Sequence, residues 1–342
     1  MKFSSLQLIQ KLPQKNGMTA FPPCLTWVFK GGISCLVIGF VGWKLYGERV
    51  LLVESFLAIQ PEAVVWVLLS LCLLAANLGL EARKWQVMIR LLYPDFRFDR
   101  SLIAVLLGIS AGIFTPARIG EYAGRLWMLP TAKRLEAGAY TFVSKLCQMA
   151  ITLAVGGAAL EFLNAQFREQ VLGFLPIAAW MWDLWRGVAI FSALFLWMLL
   201  LAPGIWQPLL SIIPIRQEWF RRLTAATKEV PITRLLEVLG LSLLRFGVFS
   251  AQYLCLMKGF GASGSILVSF ALIAMIFWIN SVIPSVALTE IGIRESVALL
   301  VMGGMGIATF TAFSSTFLLY VINLLIPSLL GVLMLYRVRS WK

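Results

Sequence analysis

The stretch Gly108 to Trp127, GISAGIFTPARIGEYAGRLW, decides how the chain is read. It is an apolar helical run that breaks at Pro116 and restarts with Arg118, Glu121 and Arg125. Proline cannot continue the helix behind it, and it pushes the preceding residue out of the helical region. The three charges stand at i, i+3 and i+7, so they share one face of the restarted helix. Phe277 to Gly304, FWINSVIPSVALTEIGIRESVALLVMGG, repeats the device. It breaks at Pro284 and restarts with Glu290, Arg294 and Glu295. Each stretch reads proline, a short spacer, then Glu-x-x-x-Arg. Charges on a broken helix within an apolar chain usually line a cavity or a path.

Working outward, the 342 residues are 60% hydrophobic and 13% charged, a composition of polytopic membrane proteins rather than water-soluble ones. The formal net charge is +13, and the basic residues gather beside apolar spans. The positive-inside rule accounts for that placement better than nucleic-acid binding does. With no histidine, the commonest general base and metal ligand is missing. The five cysteines show no paired spacing, so no disulfide, metal site or cofactor is expected. No signal peptide is read at the basic N-terminus, and no nucleotide-binding or catalytic motif is found.

Full spans are expected over about 25–46, 63–80, 137–160, 185–201, 235–256 and 311–336. Glu81-Ala-Arg-Lys-Trp85 reads as a basic and aromatic membrane boundary, and Trp180, Trp182 and Trp185 as an interfacial belt. The segments at 101–115 and after Pro116 are too short to cross a core of about 30 Å. They suit a hairpin that enters the membrane and turns back, and 263–304 suits a second. Basic loops at 81–100 and 203–234 go to the cytoplasm with both termini. The expected fold is therefore an all-α polytopic membrane protein of about six full transmembrane helices. Two re-entrant broken-helix hairpins complete it, in half-repeats of about 63–160 and 235–336 with opposite topology. Residues 1–24 form a cytoplasmic lead-in, 25–336 one membrane domain and 337–342 a cytoplasmic tail. Ten crossings would keep the same sidedness, whereas eight simple spans would put the basic loop 203–234 outside.

Guanidinium groups match a phosphodiester with paired hydrogen bonds, which makes Arg118, Arg125 and Arg294 candidates for a lipid phosphate. Glu121, Glu290 and Glu295 either meet a cationic headgroup or hold those arginines. Lys145 and Arg245, cations within spans, need an anionic partner or a carbonyl. The structural alternative makes Glu121–Arg125 and Glu290–Arg294 simple i,i+4 ion pairs that let a hairpin fold. Asn77, Gln148, Asn280 and Asn323 are expected to hydrogen-bond across helices, and Gly108 and Gly112 to permit close helix packing.

At TPARIGEYAGR, the two prolines and GIRE, the chain resembles the transmembrane region of lysylphosphatidylglycerol synthases, also called the flippase-like domain family. The resemblance covers about residues 25–336. It implies movement of a phospholipid or lipid-linked anionic precursor between the leaflets of a bacterial plasma membrane. Two other functions remain open: a non-transporting partner of a glycosyl- or aminoacyltransferase, and a lipid headgroup transferase. The family often carries an acid in the span at 137–160, where this chain has Gln148. No soluble aminoacyl-transfer domain is recognised, so no enzymatic activity is expected. The candidate groove then holds Arg118, Arg125, Lys145, Arg245 and Arg294 against Glu121, Glu290 and Glu295, an excess of cations that favours an anionic cargo.

Overall fold

A computed structural model describes residues 61–337, apart from 114, 116–117, 175–178, 202–229 and 284–286, and also residues 39 and 46. The breaks at Pro116 and Pro284, the span at 25–46 and the loop 203–234 thus fall wholly or mostly outside the described residues.

Every described element is helical. In chain order they are α1 (Pro61–Ile89), α2 (Phe98–Gly112), α3 (Gly120–Trp127), α4 (Arg134–Phe174) and α5 (Ala179–Leu201). They continue with α6 (Ile232–Gly259), α7 (Ile266–Val282), α8 (Ala287–Gly303), α9 (Thr309–Tyr320) and α10 (Ile326–Arg337). A π-helical turn, Val321–Leu325, joins α9 to α10 without breaking the rod. Among the described residues, three helices are long and apolar enough to cross a membrane: Ala63–Ile89, Thr131–Ala165 and Thr309–Tyr336. The chain is an all-helical membrane protein.

The structure overturns two expectations drawn from the sequence. The run Glu81–Trp85 does not end a span, because α1 continues through it to Ile89. Glu81, Lys84 and Trp85 are buried. Trp85 is packed edge-on against Phe96 at 5.6 Å and donates its indole N–H to Thr141 at 2.9 Å. A membrane-interface tryptophan keeps its polar edge in the headgroup region; this one spends it inside the protein. Trp182, read as part of an interfacial belt, is likewise buried and donates to Asn164 at 2.9 Å, because α4 runs on past residue 160 to Phe174. Trp180 remains exposed.

Packing relates the two halves. α1 lies along α6. α2 packs on α10, and its counterpart α7 packs on α4. α2 meets α3 as α7 meets α8, and α3 touches α4 as α8 touches α9. Exchanging α1–α4 for α6–α10 maps this set of contacts onto itself. The reciprocal contacts α2–α10 and α7–α4 each use a glycine. A Cβ at Gly156 of α4 would overlap Trp278 of α7, and one at Gly331 of α10 would overlap Ser110 and the Leu106 carbonyl of α2. Close approach through a missing side chain is how helices gain packing where both partners are already in an apolar phase. It also lets Ser110 Oγ donate to the Ser328 carbonyl at 2.6 Å.

Candidate functional site

The first motif folds as two short helices packed on each other. α2 has 15 residues and α3 has 8, about 22 Å and 12 Å of helix. Thr115 organises the turn: its hydroxyl donates to the Gly112 carbonyl at 3.2 Å and accepts from the Gly120 N–H at 2.7 Å. Arg118 follows with φ of 54°, the left-handed region that non-glycine residues seldom occupy. Such a backbone costs about 1–3 kcal/mol and persists only where its surroundings hold it. The Arg118 N–H bonds the Thr115 carbonyl at 3.1 Å, and its guanidinium lies 3.6 Å from Glu121.

Gly108 and Gly112 then make room for charge. A Cβ at Gly108 would stand 2.9 Å from Arg125 Cγ, and one at Gly112 would stand 2.6 Å from Glu121 Cγ. The glycines of α2 therefore seat the charged side chains of α3 as well as the helix itself.

Those side chains meet α1, α4 and α6 in one buried network. Asn77, Glu81 and Lys84 fall at i, i+4 and i+7 on one face of α1. Lys84 Nζ and Arg125 Nη2 each lie 2.8 Å from a different oxygen of Glu81. Arg245 of α6 reaches Glu81 at 3.4 Å, and Lys145 of α4 stands 4.0 Å away. Glu121 takes Lys145, Arg125 at 3.4 Å and Arg118. Gln148 Oε1 accepts from Lys84 at 3.1 Å and Arg245 at 3.2 Å, while its amide donates to the Ser242 carbonyl at 3.3 Å. Arg125 is 1% exposed, and its Nε and Nη1 have no hydrogen-bond partner among the described residues. Among the described residues, five cations thus surround two carboxylates.

A cavity of about 270 Å³ opens beside this network. Glu81, Arg118, Gln148 and Arg245 line it from the first half and α6, and Arg294 lines it from the second motif. Phe246, Phe249 and Phe277 form an aromatic wall, with Phe249 stacked on Phe277 at 4.9 Å. Asn323, carried by the π-helical turn, accepts from Asn77 at 2.6 Å, and both residues face the cavity. An extra residue in one helical turn rotates the side chains beyond it, and such turns recur at functional sites. Tyr253 also lines the cavity, bonded to the Thr316 hydroxyl. The lining combines cationic and polar groups with aromatic and aliphatic ones.

The structure therefore gathers Arg118, Arg245 and Arg294 on one cavity and sets Glu121, Arg125 and Lys145 in the network behind it. Glu295 is buried on α8, and the Glu290 side chain lies outside the described residues. Glu81 and Lys84 were missed as site residues. The signal for them was present: no proline separates Leu80 from Pro94, so a helix through Glu81 and Lys84 was open to the chain. Among the described residues, no three Cys, Asp or Glu side chains gather in a way that could hold a metal ion.

Removing one partner from a buried ion network leaves an uncompensated charge, at a cost of about 3–5 kcal/mol. Glu81→Gln is expected to lower unfolding stability in detergent by that amount. Glu237→Gln, which takes an acid from exposed pairs with Arg83 and Arg234, should change it by less than about 1 kcal/mol. Equal effects from the two substitutions would show that Glu81 does not hold the network.

No curated protein matches the chain. A family model described as the lysylphosphatidylglycerol synthase TM region matches residues 27–331. By that match, which spans nearly the whole length, the chain belongs to the family of the lysylphosphatidylglycerol synthase transmembrane region.

Proposed function

We propose that the chain moves the headgroup of a phospholipid or lipid-linked anionic precursor between the leaflets of a bacterial plasma membrane. The observation that carries this reading is the meeting of Arg118, Arg245 and Arg294 on one cavity with a stacked aromatic wall. Guanidinium groups pair with phosphate oxygens, and the apolar wall suits the glycerol or isoprenoid stem next to them. A charged headgroup faces a steep barrier in hydrocarbon, which a polar cavity within the protein lowers. The family name, which refers to an aminoacylated phospholipid, supports a lipid cargo. In this reading the protein positions and shields the headgroup and makes or breaks no covalent bond.

The topology proposed with it has α2–α3 and α7–α8 as hairpins entering from opposite faces, with both termini in the cytoplasm. Three things support it: the short α2 and α3, the basic loops, and the reciprocal contacts of the two halves. Inverted repeats with broken helices at their interface are a transporter architecture.

Arg118→Ala and Arg294→Ala are each expected to lower the initial rate of fluorescent phospholipid movement in proteoliposomes by about tenfold or more, the loss of one charge-assisted phosphate contact. Abundance and insertion should stay near the parent's. Unchanged movement by both variants would contradict a headgroup path through this cavity. Binding of lipid without movement in the parent would favour a non-transporting partner of a lipid-modifying enzyme instead.

Sidedness is tested with single cysteines at Ala132 and Ser263, both exposed between helices, in a background lacking the five native cysteines. An impermeant maleimide should reach Ala132→Cys only from the cytoplasm and Ser263→Cys only from outside. Labelling of both from one side would rule out the inverted arrangement.

A further inference from the structure

We infer that the cavity selects a headgroup bearing at least two negative charges, a phosphomonoester or a diphosphate, over a singly charged phosphodiester. This deepens the reading of the cavity as a lipid headgroup site and rests on it.

The inference comes first from a count of formal charge. The network and the cavity wall hold six cations: Lys84, Arg118, Arg125, Lys145, Arg245 and Arg294. Against them stand, among the described residues of the network, Glu81 and Glu121. Crediting both acids of the second motif, Glu290 and Glu295, brings the acids to four and leaves an excess of two positive charges. Inside an apolar bundle an uncompensated charge is costly, so the excess calls for an anion of matching charge.

Gln148 is the second observation. It stands between Lys84 and Arg245 and offers both a neutral amide oxygen. A carboxylate in its place would cancel half of the excess; the amide satisfies the hydrogen bonds and keeps the charge. The third is the count of arginines. Arg118, Arg245 and Arg294 reach the cavity from three separate elements. A phosphomonoester presents three unesterified oxygens and a phosphodiester two, so only the former gives each guanidinium an oxygen of its own.

The test is equilibrium binding to the purified full chain in phosphatidylcholine nanodiscs, at about pH 8, where a phosphomonoester is doubly ionised. Phosphatidic acid, diacylglycerol diphosphate and phosphatidylglycerol of the same acyl chains are compared. The first two should bind about tenfold tighter than the third, as a second charge and a third phosphate oxygen require. Gln148→Glu and Arg245→Gln each remove one unit of excess charge by different means, and each should shrink that preference by about tenfold. Should one variant fail to fold, the other gives the same reading. Phosphatidylglycerol binding as tightly as phosphatidic acid, or a preference retained in the folded variants, would overturn the inference. Translocation of the same lipids in vesicles separates the two claims. Movement without headgroup preference defeats this inference and leaves the translocator, whereas preferential binding without movement does the reverse.

Discussion

Glu81 sits inside a helix pair with Lys84, Arg125, Lys145 and Arg245 all within 4.0 Å. A carboxylate in so apolar a place survives only with partners, and so do the cations around it. Each partner comes with its helix: Arg125 with α3, Lys145 with α4 and Arg245 with α6. The network thereby fixes the relative placement of four elements that apolar packing alone would leave free to slide. Several local features follow from it. α2 carries glycine at 108 and 112 because side chains there would strike Arg125 and Glu121. α1 extends through what looks like a polar boundary because its polar residues are used inside. Gln148 and Ser242 complete the hydrogen bonding on the side facing α6.

The turn between α2 and α3 is placed with respect to the same charges. Thr115 closes the turn, and the left-handed backbone at Arg118 directs that residue to the cavity side of Glu121. Arg125, about two turns beyond Arg118, is directed into the buried network. One motif therefore divides its two arginines between tasks, one for the interior and one for the cavity wall. The second motif adds Arg294 to that wall from α8. The π-helical turn in the last helix brings Asn323 to Asn77 beneath it.

Much of this was legible in the residues, and what was not has a physical cause. Proline spacing and charge periodicity pointed to two broken helices and to Arg118 and Arg294, a lone cation within a span pointed to Arg245, and the structure brings those three together. The asparagines at 77 and 323 were expected to bond across helices, and they bond each other. Glu81, Lys84 and Trp85 were misread because a charged and aromatic cluster after an apolar run has the composition of a membrane boundary. Composition cannot tell a charge that faces water from one that faces a buried counter-charge 44 residues away, as Arg125 is from Glu81. Trp182 was misread for the same reason, its partner Asn164 lying on the preceding helix. The long-range ion pairs could be found only once α1, α3, α4 and α6 were packed.

A cationic cavity bordered by aromatics, in a membrane protein of this family, is accounted for if it receives the phosphate of a lipid. The most direct measurement is a cryo-electron microscopy structure of the chain in nanodiscs of native lipid. It should show phosphate density within hydrogen-bond reach of Arg118, Arg245 and Arg294, with the attached stem along Phe249 and Phe277. A cavity holding only water or acyl chain, with the three guanidinium groups turned onto protein carboxylates, would contradict the account.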